Sequence, residues 1–67
     1  MQRDFVYSSR IKSVGWEDDI LEIEFHDGAI YHYTNVSYSK YVSFMNSPSL
    51  GSTLSRLDKT HYYYPVN

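Results

Sequence analysis

The sequence predicts an α+β fold: a small antiparallel sheet of three to four strands with two short helices on one face. Three observations predict it. Ile20 to His26, ILEIEFH, alternates with period two, putting Leu21, Ile23 and Phe25 on one face and Glu22, Glu24 and His26 on the other. Asp27-Gly28 follows as a hairpin signal, because Gly accepts the positive φ that such turns need. After Val36 the period changes: Tyr38, Tyr41, Val42 and Met45 fall at i, i+3, i+4 and i+7, one apolar helical stripe.

The elements follow in order. Phe5 to Trp16, FVYSSRIKSVGW, is rich in strand formers, with the Ser8-Ser9 pair marking a weak or bulged middle. Arg10 and Lys12 share one parity there; Ser9, Ile11 and Ser13 share the other. Glu17-Asp18-Asp19 is a polar turn into the alternating strand, and Ala29 to Thr34 returns from the Asp-Gly turn. Ser37 is placed to cap the first helix, and Asn46-Ser47-Pro48 stops it. Ser49 caps a second, short helix with Leu50, Leu54 and Leu57 on one side. The tail THYYYPVN either docks on the sheet edge or hangs free.

The Asp-Gly turn decides where Tyr31 and Tyr33 point. A two-residue type I′ loop sends them to the outer face with Glu22 and Glu24. A three-residue loop with a bulge at Gly28 shifts the register by one, so that Phe25 faces Ala29, Ile23 faces Tyr31 and Leu21 faces Tyr33. The second arrangement buries more apolar surface and leaves a Glu22–His32 pair outside. It is the expected one, with both tyrosines joining the core.

Sixty-seven residues make a single domain, 1–67. A core of this size rarely supplies more than ~3–5 kcal/mol, so such domains lean on disulfides, metals or partners. Cysteine is absent, which leaves large side chains and self-association. Twelve aromatics (eight Tyr, three Phe, one Trp) meet the first need, and a homo-oligomer would meet the second. Six Lys and Arg against eight Asp and Glu give a net charge of −2, which argues against binding duplex DNA. The start, MQRDFVYSS, lacks the apolar core of a signal peptide. No apolar run approaches the ~20 residues of a membrane helix, so a cytoplasmic location away from membranes is expected.

Catalytic chemistry finds no support. Glu22, Glu24 and His26 repeat every ~6.7 Å along a strand, whereas a metal needs ligands converging within ~2–2.2 Å of one point. They read as a solvated face, with Arg10 and Lys12 opposite as cross-strand ion-pair partners. No serine sits beside a positioned base, and Gly15, Gly28 and Gly51 form no phosphate loop. No catalytic residue, metal site or cofactor is assigned. The binding candidates are Tyr31, Tyr33 and the C-terminal group Arg56, Lys59, His61, Tyr62, Tyr63 and Tyr64. That group suits an edge strand, a protein interface or single-stranded RNA, where cations hold phosphates and rings stack on bases.

The segments SSRIKSVGW, LEIEFHDGAIYHYTNV, KYVSFM and SLGSTLSRL, in this order and spacing, resemble the KTSC domain. This is a short bacterial and phage module found also at the C-terminus of some lysyl-tRNA synthetases. The resemblance runs from about residue 6 to about residue 64, through Val14-Gly15-Trp16, the Tyr31-x-Tyr33 pair and Ser49-x-Gly51. It implies an RNA-binding role, through the link to a synthetase, and no particular enzymatic activity. The chain departs from the family pattern at Ser37, where members have Pro, and at Phe44, where they have Leu. It departs again at Thr53, Leu54 and Ser55, where members carry aromatics and Asn. The acidic balance and those missing aromatics favour a non-catalytic module that engages a protein partner or itself. Phages and mobile elements carry many small proteins of that sort. RNA binding is the alternative, and a small nucleotide held between subunits is a further one.

Overall fold

The computed structural model describes all 67 residues. In chain order it contains β1 (Arg3–Phe5), β2 (Ile11–Glu17), β3 (Ile20–Phe25) and β4 (Ile30–Tyr33), then α1 (Tyr38–Met45), α2 (Leu50–Thr60) and β5 (Tyr63–Pro65). The strands form one antiparallel sheet in the order β1-β2-β3-β4-β5. The two helices are thus an excursion between neighbouring strands. The class is α+β, as expected, but the sheet has five strands rather than three to four.

The extra strand comes from splitting Phe5–Trp16. Ser8 Oγ accepts hydrogen bonds from the backbone N–H groups of Arg10 and Ile11, at 3.2 Å each. That hydroxyl replaces two ladder partners and reverses the chain, so β1 folds back on β2 with Phe5 opposite Ser13. The tail also docks: Thr34 N–H donates to Tyr62 O and Val66 N–H to Ile30 O, both at 2.9 Å.

The β3–β4 hairpin has the expected bulged register. Leu21 faces Tyr33 and Ile23 faces Tyr31, Phe25 N–H donates to Ala29 O at 2.9 Å, and Gly28 takes φ +93°. The β2–β3 connection is the tighter one. Glu17 pairs with Ile20, so Asp18 and Asp19 form a two-residue loop, both with positive φ (51° and 64°).

Nine side chains make the core: Ile11, Val14, Leu21, Ile23, Tyr33, Val36, Phe44, Leu54 and Leu57. A register shift between Ile11 and Ser13 breaks the alternation of β2. Ile11 and Val14 therefore both face the helices, while Ser13 joins Glu24 on the opposite side. The Ser37 and Ser49 caps form as expected, accepting from the N–H groups of Lys40 and Ser52. The expected stripe on α1 is only half right. Tyr41 and Met45 pack on the core, but Phe44 is the fully buried residue. Tyr38 stays 60% exposed and Val42 38%. Trp16 draws the helix to this orientation: its ring lies 5.2 Å from Tyr38 and 6.1 Å from Tyr41, and its Nε1–H donates to Val36 O at 2.7 Å.

Candidate functional site

On the helical side of the sheet, β3, β4, β5 and α2 leave a cavity of about 200 Å³ lined by Arg10, Phe25, Tyr31, Tyr33, Asp58 and Tyr63. Tyr33 forms its base, 1% exposed. The Tyr63 ring stacks on Tyr33 with centroids 4.9 Å apart and planes at 22°. Tyr31 stands half-buried between Phe25 (5.8 Å, edge-on) and Tyr63 (6.0 Å). Such tilted and offset contacts between rings add ~0.5–1.5 kcal/mol per pair beyond area burial, so the rings support one another along this wall.

One side of the cavity is polar and internally satisfied. Tyr33 Oη donates to Asp58 Oδ1 at 2.6 Å. The Arg10 guanidinium reaches Asp58 Oδ2 at 3.4 Å and Ser55 Oγ at 3.2 Å, and lies 5.4 Å from the centre of the Phe25 ring. Burial, then the hydrogen bond to Asp58 and the charge of that carboxylate, push the Tyr33 hydroxyl well above the ordinary tyrosine range. The hydroxyl therefore stays protonated and donates to Asp58.

The opposite face carries the carboxylates, and it is not the solvated surface that the alternation of β3 suggests. Arg3, Gly15, Glu22, His32 and Tyr64 form a row across all five strands. The Arg3 side chain crosses above Gly15 to donate to Glu22, and also to Ser13 Oγ at 2.9 Å. Ser13 passes a hydrogen bond to Glu24 at 2.7 Å, and His32 Nε2 donates to Glu22 at 2.7 Å. Arg3, not Arg10 or Lys12, is the ion-pair partner of this face. His26 donates separately to Ser8 O at 2.8 Å.

Glu22 is only 9% exposed. Burial alone would raise its pKa, but the hydrogen bonds and positive charge of His32 and Arg3 more than offset it. The carboxyl ends below its ordinary value of 4.5. A depressed folded-state pKa contributes stability that is present above about 4.5 and lost as pH falls through the folded value. Urea midpoints measured at pH 6 and pH 3 should therefore drop further for the wild type than for Glu22→Gln.

The C-terminal group does not form one surface. Tyr62 and Tyr64 lie together on the outer side, with ring centroids 5.8 Å apart, and Tyr64 sits 5.7 Å from His32. Tyr63 points the other way, into the cavity. His61 Nδ1 donates to Thr34 O at 2.9 Å and fastens the end of α2 to β4. Arg56 faces α1, and Lys59 is exposed. Of the candidates read from sequence, Tyr31, Tyr33 and Tyr63 come together. Arg10, Phe25 and Asp58 complete the cavity and were not singled out. Asp58 carried a signal: four residues after Leu54, it had to point toward the core side of α2 and find a donor there.

The family model of the KTSC domain matches residues 7–62 of this chain. The chain belongs to the KTSC domain family. It is also similar to an uncharacterised protein of Stutzerimonas stutzeri (strain A1501), 34% identical over 65 residues that cover 94% of this chain and 92% of the relative. The KTSC match takes in β2 to α2 with Arg10, Phe25, Tyr31, Tyr33 and Asp58. Strands β1 and β5, which supply Arg3 and Tyr63, lie outside it. No helix is long and apolar enough to cross a membrane.

Proposed function

We propose that this KTSC chain is a small non-catalytic protein-interaction module whose aromatic cavity receives one apolar or aromatic side chain of a protein partner. The observation that carries the reading is the cavity itself. At about 200 Å³ it falls below the ~300–1,000 Å³ of typical small-molecule pockets, a size that suits a single side chain better than a nucleotide. Its walls are the residue types that dominate protein-binding hot spots, tyrosine and arginine. Arg10 is already engaged by Asp58 and Ser55, so it has little left for a phosphate. That weakens an RNA or nucleotide reading at this site.

The test is native mass spectrometry after incubation in clarified bacterial lysate, run on the wild type and on Tyr63→Ser. The expected result is a protein species retained by the wild type, insensitive to added salt, and released by the variant. Loss of a central ring costs ~2 kcal/mol or more, about thirtyfold in affinity. Retention of RNA, with affinity falling steeply as salt rises, would overturn the proposal. So would a partner bound equally well by the variant. A species at twice the monomer mass that Tyr63→Ser abolishes would make the partner a second copy of this chain.

A further inference from the structure

We propose that the cleft between α1 and α2 is a separate binding site for a phosphoryl anion, independent of the aromatic cavity. Its walls come from both helices: Lys40 and Ser43 from α1, and Thr53, Arg56 and Thr60 from α2, around a volume of about 420 Å³. Phe44 and Leu57 close its floor, and Ser47-Pro48 one end. The two sites lie on different sides of α2. Arg56 and Asp58 are two residues apart, ~200° around the helix at 3.6 residues per turn, so a ligand in one leaves the other open.

Charge sets this cleft apart from the other cavities, which hold either no cation or a carboxylate beside one. The chain as a whole is acidic, yet no carboxylate lines this cleft. Arg3 and Arg10 both end on carboxylates, whereas Lys40 and Arg56, like Lys12 and Lys59, form no ion pair. The Arg56 guanidinium donates to Thr53 Oγ1 at 3.3 Å. That contact steadies the planar group against one wall and leaves its remaining N–H donors unused. Thr53 is held in turn by donating to Ser49 O at 3.0 Å. The Ser43 hydroxyl and the Lys40 ammonium make no hydrogen bond within the protein. A guanidinium and an ammonium without ion-pair partners, and a hydroxyl without a bond inside the protein, thus line the same cleft from its two walls.

That donor set selects the ligand class. A phosphoryl group offers three strong acceptor oxygens and more than one negative charge. Guanidinium engages two such oxygens side by side, and ammonium and hydroxyl can satisfy the third. A neutral ligand would leave both cations without a counter-charge, and a single chloride offers one charge and no array of acceptor oxygens.

Inorganic pyrophosphate, titrated into the ¹⁵N-labelled protein at low salt and followed by amide shifts, tests this directly. Sodium chloride at matched ionic strength is the control. Saturable shifts confined to Lys40, Ser43, Thr53, Arg56 and their neighbours are expected. The Lys40→Ala/Arg56→Ala double variant should bind at least about tenfold more weakly, the scale of losing a charge-assisted hydrogen bond. Ser43→Ala leaves the charge unchanged and should weaken binding severalfold, which separates a built site from diffuse attraction. All three residues are exposed, so the variants should fold, and their spectra will show it. Equal shifts with chloride, no saturable shifts, or shifts that include Lys12 and Lys59 and survive the double variant would each overturn the proposal.

Discussion

Phe44→Ala is expected to leave the domain largely unfolded at 25 °C, while Val42→Ala, two residues away on the same helix, stays folded. Phe44 is 1% exposed at the centre of the core. Truncating such a ring costs ~3–5 kcal/mol through lost transfer energy and the cavity left behind. A single core in a chain of this length supplies about the same amount in total, so nothing remains to hold the sheet against the helices. Val42 is 38% exposed, and losing its two methyl groups should cost under ~1 kcal/mol. Far-UV circular dichroism with urea titration of the two variants measures both effects. Equal destabilisation by the two would mean that α1 presents a different face to the core in solution.

Gly15→Ala should detach β1. A Cβ at Gly15 would lie 2.6 Å from the carbonyl oxygen of Gln2, 3.0 Å from Arg3 Cγ and 3.2 Å from Met1 Cγ. Side-chain atoms can swing aside, but the Gln2 carbonyl is backbone and moves only if the strand moves. Overpacking of this kind costs ~1–3 kcal/mol, a large share of what the domain has. The expected result is a lower urea midpoint, with rapid amide exchange at Asp4 and Val6, the N–H groups that this end of the chain turns toward β2, while β3 and β4 stay protected. A second consequence follows from the ion pair. Once Arg3 no longer reaches Glu22, the carboxylate loses one of its two partners, so the acid-dependent loss of stability should shrink in the variant. Unchanged exchange in β1 would mean that the N-terminus is not held across Gly15 as the geometry requires.

Gly15 also shows why part of this architecture was hard to read. In the sequence it is one glycine beside a tryptophan, with no turn around it. Its role appears only when β1 pairs beside β2 and sends the Arg3 side chain across it to Glu22 on β3. The β1–β2 reversal was hidden for a related reason. It uses a serine hydroxyl to hold two N–H groups, where the common signals are Gly, Pro, Asn and Asp. The expected ion pairs on the outer face named Arg10 and Lys12 because parity along β2 allowed it. A one-residue shift between Ile11 and Ser13 cancels that parity, and Arg10 goes instead to Asp58.

The site divides in the same way. Tyr31 and Tyr33 were placed by local rules: an Asp-Gly turn, a bulge, and the requirement that Leu21 and Ile23 have apolar neighbours. Tyr63 could be seen as a candidate but not separated from Tyr62 and Tyr64, since which tyrosines face inward depends on how the tail pairs with β4. Arg56 had sequence neighbours in Lys59 and His61, yet its spatial neighbour is Lys40, 16 positions earlier.

By itself the sequence determined the α+β class, both serine caps and the leucine face of α2, and it favoured the bulged register around Gly28 over the two-residue loop, a choice that the structure settled. These follow from short-range geometry, in which turn type, capping chemistry and periodicity are set within a few residues. Only the tertiary structure decided which face of α1 is buried, where Arg3 and Arg10 find their carboxylates, and which groups line the two cavities. Those are matters of which distant surfaces meet. A helix of eight residues with apolar groups on more than one side has no preference until Trp16 and the sheet supply one.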